Sequence, residues 1–138
     1  VAYSPLARGV LTGKYEEGVS PAADSRAGRG DKRILQTEFR PESIAVAKKI
    51  RAHAESRGLT ATQFAIAWAL NNRLVHGVIG GPRTLEQWRD YIHAMTVQLT
   101  GDDETFVDSL VAPGSASTHG YSDPQYPLTG REPRPSSI

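Results

Sequence analysis

Apolar residues recur with the spacing of amphipathic helices in four parts of this chain. Residues 41–57 predict the first helix, which Pro41 begins and Gly58 ends as a left-handed cap. One face of this helix carries apolar residues at spacings of three and four: Ile44, Ala47, Ile50 and Ala54. Residues 60–71 predict a second helix. Because residues 64–70 are almost wholly apolar, we expect this helix to be buried on most sides.

Two further helices and two short strands complete the pattern. Thr84 begins the third helix and Thr100 begins the fourth. The third helix is expected to turn four large apolar residues toward the core: Leu85, Trp88, Ile92 and Met95. Short apolar runs at residues 1–4 and 74–79 predict the strands. The polar, glycine-rich residues 12–40 predict one long loop.

The order of these elements predicts an α/β protein. A strand, a loop, two helices, a second strand and two more helices fit the C-terminal, closing portion of a (β/α)8 TIM barrel. Two strands cannot close a barrel, so we expect a helix-rich fragment whose unpaired strand edges are open to self-association. Residues 1–111 are assigned to the barrel portion. Residues 112–138, rich in Pro, Gly and Ser and without a period, are assigned to a C-terminal tail.

Length and composition exclude several classes of protein. The chain has 138 residues and begins with Val1 inside a predicted strand, so we expect part of a barrel, which needs roughly 200 residues when complete. The 16 basic and 15 acidic residues leave no broad basic face for nucleic acid. Cysteine is absent, which excludes disulfides and thiolate metal ligands. No apolar run of about eighteen residues predicts a membrane helix, and the first residues do not form a signal peptide.

Two glycine-containing segments, residues 3–15 and 78–87, hold the side chains best suited to chemistry. In the second segment, Gly80 and Gly81 allow the backbone to approach a phosphate closely. Arg83 supplies a planar guanidinium beside a helix N-terminus, and both favour anions. The alternative interpretation is an ordinary turn between strand and helix with an exposed arginine.

The other polar residues of the two segments also have two interpretations. Gln87 either completes a helix cap with Thr84 or hydrogen-bonds a base. The first segment and the loop after it offer a ring for stacking, groups that bond phosphate oxygens, and two counter-charges: Tyr3, Ser4, the backbone through Gly9, Lys14 and Arg26. The alternative is a buried strand tyrosine followed by a solvated loop.

The histidines and the acidic run support no catalytic or metal-binding prediction. The four histidines have no spacing typical of a metal site or a catalytic triad: His53, His76, His93 and His119. Residues 102–104 are all acidic, but they lie at a predicted helix N-terminus, where acidic residues stabilise the helix dipole. We therefore interpret them as capping residues.

The two glycine segments resemble the cofactor-binding half of the aldo-keto reductases. The branch in question includes bacterial general reductases and the β subunits of potassium channels. The resemblance covers residues 1–110 and is carried by four motifs: residues 3–15, Ser25-Arg26, residues 60–68 and residues 79–87. Residues 121–127 are more loosely similar to the tails of some members.

This resemblance implies a barrel that binds NADP(H) at its mouth. By motif, Tyr3 would stack on the nicotinamide. The remaining cofactor-binding residues would be Ser4, Leu6, Ala7 and Gly9 at the pyrophosphate, Lys14 and Arg26 over it, Gly81 and Arg83 at the 2′-phosphate, and Gln87 and Asp90 at the adenosine. Tyr91 stands where the family commonly has an asparagine beside the adenine, and a tyrosine could stack there but cannot replace the amide. Gly80 stands where the family often has proline. The family's catalytic residues come from earlier strands, so none is assigned in this chain.

The implied parent reaction is the NADPH-dependent reduction of an aldehyde or ketone to an alcohol, by a cytoplasmic protein acting on a small carbonyl compound. We expect this chain to contribute cofactor contacts and to be inactive alone. The alternative is a non-catalytic nucleotide-binding or protein-interaction module similar to the channel β subunits. No nucleic acid or membrane partner is expected.

Overall fold

The computed structural model describes residues 1–118, 120–121 and 131–135, and the elements follow the predicted order. The described part of the chain forms strand β1, a turn of 3₁₀ type at Ala7–Thr12, five helices and strand β2. The bounds of the numbered elements are β1 Ala2–Tyr3, α1 Lys32–Thr37, α2 Pro41–Ser56, α3 Ala61–Leu70, β2 Val78–Ile79, α4 Leu85–Ala94 and α5 Gly101–Leu110.

The two strands form a parallel pair in which Ala2 lies opposite Val78 and Tyr3 opposite Ile79. Within the described ranges no third strand joins them, so each strand has one unpaired edge. The prediction of a strand over residues 74–79 is correct only for the last two positions, Val78 and Ile79. Before them the Val75 N–H donates to the Asn72 carbonyl, and the chain forms a turn.

Helix α3 lies at the centre of the core, as its apolar sequence predicts. Its buried residues are Ala61, Phe64, Ala65, Ile66 and Ala67. The predicted apolar face of α2 is also buried, and Ile50 and Ala54 share a cluster with Phe64. The other side of α3 packs against α4 through Ile66 and Ala94. The helix therefore holds α2 and α4 in place on either side of it.

The region predicted as one long loop contains a helix, α1. Asp31 caps it by accepting hydrogen bonds from the N–H groups of Arg33, at 2.9 Å, and Ile34, at 3.2 Å. Ile34 is fully buried and packs in a cluster with Val10 and Tyr15. The prediction failed here because six residues are too few to reveal a helical period.

The prediction of which residues of α4 face the core is wrong. Its four large apolar residues are exposed by 46–67%: Leu85, Trp88, Ile92 and Met95. The helix instead turns Tyr91 and Ala94 toward α3. We call the four exposed residues the apolar stripe. The apolar stripe has helical spacing, but no element of the described chain covers it. Since α4 carries apolar residues on more than one face, periodicity alone could not identify the face that meets α3.

The predicted helix caps are confirmed at α3, α4 and α5. The side chains of Thr60 and Thr84 accept from the N–H three residues on, at 3.1 and 3.2 Å. At α5, Thr100 and Asp103 form a complete capping box. Gly58 has the predicted left-handed conformation after α2, with a φ of 71°.

Asp103 also joins α5 to α2. Its carboxylate is 1% exposed and accepts a hydrogen bond from the Thr100 N–H at 2.7 Å. It also meets His53 Nε2 at 2.7 Å and the guanidinium of Arg57. Burial raises the pKa of Asp103, but the Thr100 N–H, His53 and Arg57 lower it more, so the pKa lies below its ordinary value.

Residues 131–135 of the tail lie on the C-terminal end of α3 and the start of α5, whereas Ser117 and Thr118 contact the start of α2. Arg131 donates to both carboxylate oxygens of Glu104 and covers the Trp68 ring at 3.5 Å from its centroid. Pro133 forms an isolated bridge with Asn72. Most of the 121–127 motif lies outside the described residues, and the boundary at residue 112 stays a prediction.

Candidate functional site

A cleft of about 550 Å³ opens between the turn that follows β1 and the loop that follows β2. The parallel pairing brings the ends of both strands to the same edge, which places the two glycine segments side by side. The cleft is lined by Tyr3, Ser4, Pro5, Leu6, Arg8, Gly9, Thr12, Lys14, Arg26, Thr62, Ile79, Gly80, Gly81, Arg83, Gln87 and Tyr91.

Nine of the eleven residues assigned to cofactor binding line this cleft: Tyr3, Ser4, Leu6, Gly9, Lys14, Arg26, Gly81, Arg83 and Gln87. Ala7 and Asp90 do not. Asp90 accepts hydrogen bonds from the Gln63 amide at 2.8 Å and the Thr60 hydroxyl at 3.3 Å, and so joins α4 to the start of α3. The structure thus gathers most of the predicted set, while their contact with a cofactor stays a prediction.

The first wall of the cleft has an unusual backbone. Ser4, Ala7 and Arg8 have φ values of 51°, 45° and 55°, and Gly9 follows at 99°. In this left-handed region the backbone conformation of a residue other than glycine costs roughly 1–2 kcal/mol. Such strain concentrates at functional sites, where it fixes the direction of backbone groups. The glycine at position 9 was predictable as a turn residue, but the strain at Ala7 and Arg8 has no sequence signal.

Four cationic side chains line the cleft, and none of its described lining residues is acidic: Arg8, Lys14, Arg26 and Arg83. Lys14 extends back over Gly9, where an added Cβ would lie 3.4 Å from the ammonium nitrogen. The Arg8 Nε atom is buried and has no hydrogen-bond partner in the described part of the chain. In a chain with almost balanced charge, this local excess favours an anionic ligand.

Asp31 lies next to this group without lining the cleft. One of its oxygens is 3.8 Å from the Arg26 guanidinium. The N–H of Ile34 lowers the pKa of Asp31 below its ordinary value, and the charges of Arg26 and Arg8 add to the effect. The carboxylate is therefore ionised at neutral pH and offsets part of the positive charge on that side.

Gln87 takes part in the helix cap that its sequence position predicts, while its contact with a base stays a prediction. Its side-chain oxygen accepts a hydrogen bond from the Arg83 N–H at 2.7 Å, and its own N–H donates to Thr84 Oγ1 at 3.2 Å. It therefore holds the first turn of α4 and also lines the cleft. In a standard capping box this side chain would accept from the N–H of the cap residue, Thr84. Gln87 accepts instead from the residue before it, Arg83, and so holds the backbone there.

Tyr3 lies at the rim and is 76% exposed, which excludes the alternative of a buried strand tyrosine. The sequence did not assign Arg8, Thr12 or Thr62 to the site, although all three line the cleft. Tyr91, which the resemblance placed at the position of an adenine-contacting asparagine, also lines it.

The described residues contain no group of three or more histidine, aspartate or glutamate side chains able to hold a metal ion. His53 is instead held in the contact between α2 and α5, bonded to Asp103 and stacked on Phe106 at 4.0 Å. Across the ranges that the structure describes, no helix has the length and apolar character needed to cross a membrane. The four cations and the exposed Tyr3 ring give the cleft the chemical character that suits a ligand with several negative charges and a planar ring.

Comparison with known proteins gives one consistent family. The family model described as Aldo/keto reductase family matches residues 1–112. A probable voltage-gated potassium channel subunit beta from Arabidopsis thaliana is 33% identical over 95 residues, or 69% of this chain and 29% of the relative. An L-glyceraldehyde 3-phosphate reductase from Escherichia coli O157:H7 is 28% identical over 83% of this chain and 34% of its own length.

An uncharacterized oxidoreductase from Bacillus subtilis is 31% identical over 124 residues, which cover 88% of this chain and 35% of the relative. The chain thus spans about a third of the length of the curated relatives it matches. A helix-rich α/β unit with a single pair of parallel strands agrees with part of a (β/α)8 barrel.

Proposed function

This chain belongs to the aldo/keto reductase family, and we propose that it forms the NADP(H)-binding portion of a reductase. The parent reaction is the NADPH-dependent reduction of an aldehyde or ketone to an alcohol. A small carbonyl substrate and a cytoplasmic location are parts of this proposal that rest on family membership. No residue of the described chain is given a catalytic role.

One observation carries the proposal: four cations and two glycine segments line a single cleft that no described acidic side chain enters. A dinucleotide with a 2′-phosphate brings three phosphate groups, which need counter-charges spread over a long site. The cations come from both walls, since Arg8, Lys14 and Arg26 follow β1 and Arg83 follows β2. A ligand with one charge would not use this arrangement.

The residues present fit this cofactor. The unpartnered Nε of Arg8 is a buried donor that an anion would satisfy. Arg83 immediately precedes the Thr84 cap, so its guanidinium and the first N–H groups of α4 can share the 2′-phosphate. The left-handed turn and Lys14 suit the pyrophosphate, and Tyr3 at the rim suits the nicotinamide ring. The cofactor, when bound, supplies the hydride.

The alternative proposal is a non-catalytic nucleotide-binding or protein-interaction module. It is favoured by the similarity to the Arabidopsis protein, whose name describes a probable channel subunit. Both proposals use the same cleft, but only the reductase would oxidise NADPH while reducing a carbonyl compound. Steady oxidation of NADPH by the full-length protein with a panel of aldehydes favours the reductase, and cofactor binding without turnover favours the module.

Replacing Arg83 with alanine in the full-length protein tests the cofactor assignment. A charge-assisted bidentate pair contributes about 1.5–3 kcal/mol, so Arg83→Ala should weaken NADPH binding about 10- to 150-fold. NADH binding should stay nearly unchanged, because NADH lacks the 2′-phosphate. The loss should shrink as salt rises, since Arg83 is exposed. Fluorescence titration of both cofactors measures these changes.

The matched control is Arg89→Ala, which removes an exposed arginine from α4, the helix that follows Arg83, at a position outside the cleft. It should leave both affinities within about twofold. Equal losses of NADPH and NADH in Arg83→Ala would mean that Arg83 only supports the loop. No loss of either cofactor would remove the phosphate assignment from the whole second segment.

A further inference from the structure

Residues 131–134, an Arg-Glu-Pro-Arg segment of the tail, pair with the loop that follows α3. The Arg73 N–H donates to the Glu132 carbonyl at 2.8 Å, and the Arg134 N–H donates to the Asn71 carbonyl at 2.7 Å. Arg73 and Glu132 are 59 residues apart in the sequence, so the two segments do not meet through local chain geometry. The pairing must instead be held by contacts that suit this particular segment.

Proline fixes the register of the pairing. Pro133 has no N–H, and it lies opposite Asn72 at the one position of the bridge that requires no donor. The N–H groups on either side of it are both used, since Glu132 donates to Asn72 Oδ1 at 3.2 Å and Arg134 donates to the Asn71 carbonyl. A shift of one residue would place proline where a donor is needed, so the loop accepts the segment in one register.

The two arginines of the segment complete the end of α3. The last carbonyls of a helix have no partners within it and attract cations, yet residues 67–70 carry no basic side chain. Arg131 donates to the Trp68 carbonyl at 3.2 Å through both terminal nitrogens. Arg134 donates to the Leu70 carbonyl at 3.2 Å through Nε. The segment therefore supplies the positive charge that the last turn of α3 lacks.

Glu104, in the first turn of α5, holds the guanidinium of Arg131. Its two carboxylate oxygens accept from Arg131 at 2.6 and 2.7 Å, and the Asn71 amide orients the carboxylate by donating to it at 2.7 Å. The Trp68 ring lies against the other side of the arginine. Arg131 and Glu104 keep only 22% and 13% of their side-chain surface exposed. A lysine could not make this combination of a planar stack and a forked hydrogen bond, so the contact selects arginine.

We propose that the end of α3, the loop at residues 71–73 and Glu104 form a docking site for an extended peptide with two arginines, which the chain fills with its own residues 131–134. We call this surface the tail-docking site. Between the arginines, the acidic Glu132 pairs with Arg73 and the proline takes the position that needs no donor. The occupant is the tail of the same chain, because four successive residues each meet a matching group. The site precedes β2 whereas the cleft follows it, so the inference does not depend on the proposed function.

The experiment empties the site and refills it with a peptide. The double variant Arg131→Ala/Arg134→Ala removes both anchoring side chains from the tail and leaves every residue of the tail-docking site in place. A fluorescein-labelled peptide of residues 129–136 is titrated with the full 138-residue chain and followed by anisotropy. A tethered tail competes at an effective concentration in the millimolar range, so the wild type should bind the peptide at least about tenfold more weakly than the double variant. Equal affinities, or no binding to the double variant, would overturn the proposal.

A second peptide tests the register without any further change in the protein. Exchanging Glu132 and Pro133 keeps the composition and charge of the peptide, but it places proline where an N–H donates to Asn72. This peptide should bind the double variant at least about tenfold more weakly, since a hydrogen bond and the pairing of the acidic residue are both lost. Equal binding of the two peptides would reduce the contact to general charge attraction and would overturn the proposal.

Two further variants, each made in the double variant, test the role of Glu104. Glu104→Gln should weaken binding of the original peptide about 10- to 150-fold, which is the value of a charge-assisted hydrogen bond. Asp108→Asn removes an exposed carboxylate from the same helix and should leave the affinity within about twofold. Similar losses in the two chains would mean that α5 attracts the peptide only through its overall charge, and would overturn the proposed site.

Light scattering identifies whose tail fills the site. Docking within one chain gives a molecular mass that does not change with protein concentration. A wild-type dimer that grows with concentration and is absent from Arg131→Ala/Arg134→Ala would mean that two copies exchange their tails. That result would overturn the assignment of the tail-docking site to the tail of the same chain.

Discussion

Replacing Asp103 with asparagine tests how α5 is held on α2. The substitution keeps the size of the side chain and an oxygen that can accept the Thr100 N–H. It removes the negative charge that meets His53 and Arg57. Because the carboxylate is 1% exposed, water cannot replace the lost interactions on that side.

The expected loss of stability follows from these contacts. Removing one partner of a buried ion pair costs about 3–5 kcal/mol, and a hydrogen bond to a charged group contributes about 1.5–3 kcal/mol. Arg57 and His53 keep 28% and 21% of their side-chain surface exposed, so solvent stabilises them after the change. We therefore expect Asp103→Asn to lower the free energy of unfolding by about 2–3 kcal/mol at pH 7.

The pH dependence provides a second measurement. The pKa of Asp103 is lower in the folded protein than in the unfolded chain. Its contribution is therefore present above the unfolded value, near 4, and is lost as pH falls through the folded value. The difference in unfolding free energy between wild type and Asp103→Asn should be largest near neutral pH and should shrink below about pH 4.

Urea unfolding followed by circular dichroism measures both effects. The control is Asp102→Asn, the exposed neighbour in the same first turn, which should cost at most about 1 kcal/mol through the helix dipole. Similar losses in the two variants would refute the argument, because they would place the effect in the dipole rather than in the contact with α2. A difference that grows on acidification would refute the assigned pKa direction.

Three shorter predictions concern the backbone, the tail and activity. Ala7→Gly should stabilise the protein by about 1 kcal/mol, because Ala7 has a φ of 45°, which glycine adopts without strain. The same change at Ala45, within α2, should destabilise the protein by about 0.5–1 kcal/mol, and urea unfolding midpoints compare the two variants. Arg131→Ala should uncover the ring of Trp68 and shift its fluorescence to longer wavelength, and an unchanged spectrum would contradict the stacking. The 138-residue chain should not oxidise NADPH with any aldehyde; turnover that survives repurification and disappears in Lys14→Ala would show that chemistry had been missed.

Local sequence signals predicted the helices well because those signals act over a few residues. Pro41, Thr60 and Thr100 begin helices through contacts with their own neighbours, so each could be identified without knowledge of the fold. The two glycine segments could likewise be identified from their own residues. Their meeting in one cleft agrees with the assignment to the closing portion of a (β/α)8 barrel, because neighbouring strands of such a barrel are parallel, as β1 and β2 are.

Features that depend on distant residues could not be predicted. The outward direction of Trp88 depends on which face of α4 meets α3, and both faces carry apolar residues. The sequence also gave no sign that Asp90 bonds Gln63, since a helical aspartate beside a cleft is equally suited to a ligand. The close approach of the Tyr91 ring to Gly80 could not be predicted either, because the two residues come from different parts of the fold.

The pairing of Ala2 with Val78 has a consequence for the order in which the protein folds. Helices α2 and α3 are neighbours in sequence, whereas β1 and β2 meet only after a loop that contains three helices has closed. Contacts between distant parts of a chain form slowly, because loop closure costs entropy before the contacts repay it. During refolding, pulsed hydrogen exchange should therefore protect the amides of α3 before the Ala2 N–H, which donates to Gly77. A chain arrested between these stages would have packed helices but no cleft, so the ability to bind a ligand should be the last property that the protein acquires.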